Sequence, residues 1–345
     1  MEQVLIARRS QKALRGCRKQ STITNDGLME GQIMQVINYK TEAEWLSLRE
    51  KDVTSTESPA LFGLSPYMTE LELYHLKKTG ERLDFDETER MKWGTRLESA
   101  IATGVAEDMN LNVSPLKNYQ RIPQINMGSS FDYEVTSGKY KNWLMEIKNV
   151  DGFIYKKTWD DFEAPEHIEV QAQHQMEVAD REGCLIVALV GGNTPKVLIR
   201  ERDKEVGAAL REKISVFWDD IRNGFQPAPD YTKDADFIIS LHQESGDEIL
   251  DMNGNPDFKQ LLLSYASLKE RDKALSKDIK AKKAELLDMI GDNAKKVLLD
   301  GFSVSCGMTK GTPPVVITPD MVGQTYGGRK DFRNFRVTQK KEAKK

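Results

Sequence analysis

The sequence of this 345-residue chain predicts an α/β fold with a central mixed sheet flanked by helices. Three observations predict it. Amphipathic helical stretches at 89–109, 166–182 and 203–223 alternate with strand-like runs at 119–150, 184–192 and 195–201. The apolar run CLIVALVGG suits a strand covered on both faces. A hydrophobic content of 39% is ordinary for a chain with a buried core.

The elements follow in order. Residues 1–40 are polar, show no sustained period, and read as an N-terminal arm. TEAEWLSLREK (41–51) reads as a short helix entered at Thr41, with Glu44 completing a capping box. Gly63 breaks the next segment, and 89–109 forms a long helix. Residues 119–150 give three strand-like runs. In the helix over 166–182, Ile168, Ala172, Met176 and Ala179 make the core face. Gln171 and Gln175 border that face, and Gln173 falls with Glu169, Glu177 and Asp180 on a wet side. The strand at 184–192 is followed by a hairpin partner at 195–201 and a helix ending before Gly224. Pro227 and Pro229 then mark a boundary, dividing a main domain over 41–232 from an extension over 233–345. In the extension, Leu261, Leu268 and Leu275 fall seven apart and position 282 is Lys. That spacing predicts a long helix over about 257–292 with a short coiled-coil stretch. A basic tail follows.

Charge is unevenly spread. The net charge of −4 divides into +4 over residues 1–40, +6 over 321–345 and −14 between them. Basic ends suit contact with phosphates and equally suit solvated tails. No run of about 18 apolar residues exists, so no membrane span is expected. Three scattered cysteines give neither a disulfide framework nor a CxxC metal site. The first twenty residues lack a secretory pattern, and a reducing, cytoplasmic setting is expected. No glycine loop of the Walker type is present.

The chemistry concentrates in SSFDYEVTSGKYKNWLMEIKNV, where thirteen residues separate Asp132 from Glu146-Ile147-Lys148. Read as strand, turn, strand, the segment puts Glu146 and Lys148 on one face and Ile147 on the other. Asp132 reaches that face if the preceding strand pairs beside it. Carboxylate oxygens suit Mg²⁺ or Mn²⁺, and such a site can hydrolyse phosphodiesters. A strand with one solvated face yields the same Glu-X-Lys pattern, so the spacing alone does not decide. Glu98, on the 89–109 helix, is either a third carboxylate for that face or a solvated residue. Gln171 either bonds a site group or satisfies a buried polar atom. Arg49, seven residues before Thr56, offers a guanidinium and a hydroxyl for a phosphate, or belongs to an ordinary polar loop. The four histidines show no zinc spacing.

Taken in order, Arg49, Thr54-Ser55-Thr56-Glu57, Gly63-Leu64-Ser65-Pro66-Tyr67, Trp93-Gly94, Glu98, Asp132, Glu146-Ile147-Lys148 and Gln171 resemble the YqaJ-type viral recombinases. These are the lambda exonuclease family within the PD-(D/E)XK nuclease superfamily. The resemblance covers about residues 43–230 and implies a restriction-endonuclease-like core. It implies a Mg²⁺-dependent 5′→3′ exonuclease (Mn²⁺ substituting) acting on double-stranded DNA ends. The exposed 3′ strands would serve a single-strand annealing protein in phage recombination. Asp132, Glu146, Glu98 and the Ile147 carbonyl would hold two metal ions. Lys148 would be the catalytic lysine and Gln171 the helical glutamine of the site. Arg49 and Thr56 would take the terminal 5′-phosphate. A toroidal trimer around duplex DNA is implied as well. Family members carry Ser-Pro-Asp-Gly around the first acid, where this chain has Ser130-Phe131-Asp132-Tyr133. The alternatives are a related endonuclease or single-strand nuclease, or a non-catalytic DNA-end-binding protein.

Overall fold

A computed structural model describes residues 34–81, 88–292, 294–299 and 302–308. The basic stretches at 1–33 and 309–345 lie outside the described residues. The chain divides into two compact units, Met1–Phe237 and Ile238–Lys345.

The first unit is α/β and holds two sheets where one was expected. The larger sheet contains β3 (Asn112–Pro115), β6 (Tyr133–Ser137), β7 (Leu144–Val150), β8 (Gly183–Val190) and β9 (Thr194–Glu201), in that spatial order. It is mixed: β7 and β8 run parallel, and the other neighbours are antiparallel. β8 lies inside the sheet, and Cys184 through Ala188 are fully buried on alternating faces. Cys184, Ile186 and Ala188 point into one core cluster, and Leu185 and Val187 into another. Coverage on both faces is why the run is continuously apolar.

Helix α3 (Glu89–Asp108) covers one face, burying Ile101, Ala102, Val105 and Ala106 beside Ile147. Helix α5 (Glu166–Val178), with α6 (Lys204–Asn223) behind it, covers the face that Glu146 shares. Of the wet side expected for this helix, Asp180 is exposed and Glu169 and Gln173 are half-buried, but one member is covered. Glu177 is buried and ion-paired with Arg202, at 2.9 Å, and with Arg211 of α6. A helical wheel separates stripes on a single helix, and it does not show that a second helix will cover the polar stripe.

The smaller sheet orders β1 (Gln35–Ile37), β4 (Tyr119–Ile122), β5 (Met127–Ser130) and β2 (Val53–Thr54). β1 pairs antiparallel with β4, so the end of the expected arm is a strand. β2 pairs parallel with β5. The 119–150 region therefore holds four strands shared between two sheets, not three in one.

Helix α1 (Glu42–Glu50) starts at Thr41, whose Oγ1 accepts the Glu44 N–H. The return bond differs from a capping box, because Glu44 accepts the N–H of Lys40, at 2.7 Å. Helix α2 (Glu70–Thr79) carries a complete box between Thr69 and Glu72. A helix α4 (Gly152–Thr158) follows β7, and α7 (Ala235–Leu241) follows α6. In the second unit, α8 (Pro256–Ile290) is 35 residues long and buries no residue. A hairpin of β10 (Lys296–Leu299) and β11 (Phe302–Ser305) follows it. Among the described residues, no helix is long and apolar enough to cross a membrane.

Candidate active site

The site forms where two strands part. The β6–β7 ladder runs through Glu134–Leu144 and Tyr133–Met145 and stops there. The next N–H on that edge of β7 would go unpaired, which is costly for a buried donor. Asp132 fills the place, its Oδ2 accepting the Ile147 N–H at 2.8 Å. The two residues flanking Asp132 support this turn. Phe131 is buried in one core cluster, and Tyr133 packs against the other while pairing with Met145.

Glu146, one residue before Ile147, is 3% exposed. Its Oε1 accepts the Gln171 Nε2–H at 2.7 Å and pairs with the Lys148 ammonium. Its Oε2 accepts the Gln175 Nε2–H at 2.7 Å. The period of two on β7 and the i, i+4 spacing on α5 produce this clamp. Gln175 also donates to the Ser130 carbonyl at 3.4 Å. The sequence showed Gln175 bordering the core face but assigned it no role. Its signal was its place one helical turn after Gln171.

Charges crowd the same space. Burial, then the Glu146 carboxylate, hold Asp132 well above the usual carboxylate range, and Glu98 adds to the push. Glu98, half-buried on α3, is raised by burial and by Glu146. Burial opposes the charge on Lys148, but Glu146 and Asp132 outweigh it and hold the ammonium above its ordinary value. Exposed Tyr67 meets His167 edge-on at 5.7 Å, and burial together with Lys148 keeps that imidazole below its ordinary value.

Fit to a metal can be tested on these atoms. Among the described residues, no three His, Cys, Asp or Glu side chains form a closed metal-binding group. The donor chemistry nonetheless fits a hard divalent cation. Three mutually repelling carboxylates face one ammonium. Asp132 Oδ1 accepts no hydrogen bond among the described residues. Carboxylate oxygens are the ligands Mg²⁺ and Mn²⁺ prefer.

A second cluster lies upstream. Arg49, near the end of α1, donates from Nη2 to Thr56 Oγ1 at 3.2 Å, and its guanidinium lies 4.6 Å from the Trp45 ring centre. Arg49 Nε is buried and donates no hydrogen bond among the described residues. Trp45 Nε1–H donates to Ser130 Oγ at 2.7 Å, two residues before Asp132. Buried Glu57 fixes the loop, accepting the Thr54 N–H at 2.9 Å and pairing with Lys77 at 2.8 Å. Burial would raise its carboxyl, but Lys77 and Arg49 outweigh burial and lower it. Beneath this loop, fully buried Asp52 accepts from Arg121 Nη2 at 2.6 Å and from the Tyr119 hydroxyl at 3.0 Å. Gly128 leaves room for that group, since a Cβ there would run into Tyr119 Oη and stand 2.6 Å from Asp52 Oδ2.

The structure thus brings Asp132, Glu146, Lys148 and Gln171 together. Glu98 stands within electrostatic range, and Arg49 and Thr56 form a separate pair joined to the first group through Trp45 and Ser130.

Comparison with known proteins bears on the same span. The uncharacterized protein YqaJ of Bacillus subtilis (strain 168) is 28% identical over 198 residues, 56% of this chain and 60% of that protein. The chain therefore spans less than two thirds of that curated relative. Among solved structures, an alkaline exonuclease from Laribacter hongkongensis is similar at 22% identity and a TM-score of 0.41, over 57% of this chain and 98% of that one. A phage related exonuclease from Haemophilus somnus 129PT is similar at 13% identity and a TM-score of 0.38, over 51% and 96%. Residues 44–182 match the model of the YqaJ-like viral recombinase domain. Every site side chain described above falls between those limits.

Proposed function

We propose that this chain is a Mg²⁺-dependent 5′→3′ exonuclease working from double-stranded DNA ends. It would leave 3′ single strands for an annealing protein in phage-type recombination, with copies of the chain enclosing the duplex as a trimeric ring. The observation that carries the reading is the cluster at the β6–β7 divergence. Asp132, Glu146 and Lys148 meet there, and two glutamines hold Glu146.

Asp132, Glu146, Glu98 and the Ile147 carbonyl would hold the metal, two ions per site, with Mn²⁺ able to substitute. When bound, the metal supplies charge stabilisation to the attacking and leaving oxygens of an in-line displacement. The chain's own groups do the remaining work. The Lys148 ammonium, held charged by its carboxylate neighbours, orients an attacking water and offsets charge on the scissile phosphate. Gln171 and Gln175 keep the Glu146 carboxylate from rotating. Arg49, with an unused buried donor, and Thr56 receive a terminal 5′-phosphate, a group that a charge-assisted guanidinium contact suits.

End-labelled linear duplexes with and without a 5′-phosphate, digested in Mg²⁺, test this. Nucleotides should leave from the 5′ end, faster when it is phosphorylated. Lys148→Ala should slow release by ~10²-fold or more, and Arg49→Ala should remove the preference for phosphate. Full activity in Lys148→Ala or Asp132→Ala would sink the site. Equal cutting of circular DNA would indicate an endonuclease, and tight duplex binding without hydrolysis an end-binding protein.

A further inference from the structure

Helix α8 carries an exposed apolar seam. From Leu261 to Met289 its apolar residues recur at alternating steps of four and three, interrupted only by Asp272 and Lys282. That is a heptad pattern sustained over four heptads, longer than the leucine spacing alone suggests. The seam is exposed: Leu268 is 56% exposed, Leu275 59%, Ile279 60% and Leu286 54%. An apolar stripe of this length on a soluble helix marks an interaction surface.

We propose that α8 pairs with α8 of a second copy of this chain as an antiparallel coiled coil centred on Lys277, a two-fold contact that would join copies of two different rings because a three-fold ring cannot pair its own three helices. The two polar seam residues select this occupant and this direction. With the centre at 277, Asp272 of one helix faces Lys282 of the other, and symmetry repeats the pair. Leu268 then meets Leu286, and Leu275 meets Ile279, so each layer joins like with like in size. A parallel, in-register pair would instead set Asp272 against Asp272 and Lys282 against Lys282, two like-charged layers in a seam that excludes water. Polar seam residues lower stability but specify orientation. The flanking charges are mixed, with Arg271 facing Glu285 but Lys269 facing Lys283, so direction rests on the seam. In the single chain Lys282 pairs with Glu285 at 2.7 Å and Asp272 with Lys269 at 3.9 Å, both exposed and exchangeable.

The antiparallel arrangement also brings Ser276 of both helices to the same flank across the two-fold axis, whereas a parallel pair separates them. The test uses the full chain with Cys17 and Cys306 changed to Ser, leaving buried Cys184. Ser276→Cys should then yield cross-linked dimer with a short bis-maleimide. Adding Asp272→Lys should cut the yield at least tenfold, and adding Lys282→Asp to that variant should restore it. Circular dichroism checks that α8 stays helical throughout. Absence of Ser276→Cys cross-linking would overturn the proposal. So would a yield indifferent to Asp272→Lys, or a double exchange that fails to restore it.

Discussion

Glu146 has both carboxylate oxygens engaged by side chains, and Gln175 supplies one of the two amide donors. A buried carboxylate with one donor removed can rotate, and the geometry it offers to an ion or a water loosens with it. Gln175 acts through Glu146 and is therefore a positioning residue. Gln175→Ala should lower kcat for duplex digestion by roughly 10–100-fold, the usual cost of removing a partner that orients a ligand. KM for DNA ends should stay within about twofold. Steady-state kinetics on a 5′-phosphorylated duplex read the split, and an unchanged kcat would reduce Gln175 to a packing role. Glu146, Lys148 and Gln171 were visible in the sequence because each rests on a local period, two on β7 and 3.6 on α5, and Asp132 was visible through its spacing before β7, in the turn that opens the neighbouring strand β6. Gln175 shares the second period, but its function depends on which β7 side chain lies opposite. Trp45, Ser130 and Lys77 were silent for the same reason, since their contacts join segments tens of residues apart.

At the scale of elements, α5 joins the two sheets. Its His174 is fully buried and bonds the Gly128 carbonyl of β5 at 3.0 Å through Nε2. A carbonyl only accepts, so Nε2 carries the proton, and Nδ1 is buried without a partner among the described residues. Protonating Nδ1 would bury a charge and an unused donor, and burial accordingly pushes the imidazole from 6.5 down to about 4. The sign follows from linkage. Between pH 6.5 and about 4 the unfolded chain takes up a proton that the folded chain refuses, so stability falls as pH falls. The full loss is roughly 3 kcal/mol at 1.36 kcal/mol per unit. Urea midpoints at pH 7, 5 and 4 should fall more steeply in the wild type than in His174→Gln, which can keep the donor to Gly128. Parallel slopes would show that His174 does not carry the dependence. The long elements were legible because each presents enough residues for a period to emerge. The smaller sheet was not, since β1 has three residues and β2 two, each paired with segments remote in sequence.

For the molecule as a whole, the question is where the self-sufficient part ends. The proline-marked boundary at 232/233 falls short of the last buried group. Asp234 is 2% exposed and accepts the Asp230 N–H at 2.7 Å. Phe237, on α7, is 4% exposed and meets His75 of α2 edge-on at 5.5 Å. A chain ending at Thr232 would leave the space under α2 unfilled, a loss comparable to a large-to-small core change of about 3–5 kcal/mol. At roughly 2–4 °C per kcal/mol for a unit of this size, its Tm should drop on the order of 10 °C. A chain ending at Leu241 keeps Phe237 and should melt in one transition near that of the intact first unit. It should digest duplex ends at close to the full-length rate, because every proposed site residue lies within 44–182. It should also lose the cross-link assigned to α8, which separates hydrolysis from pairing in one protein. Equal melting of the two truncations would place the boundary at the prolines after all. Loss of digestion in the 1–241 chain would mean that the second unit takes part in the reaction.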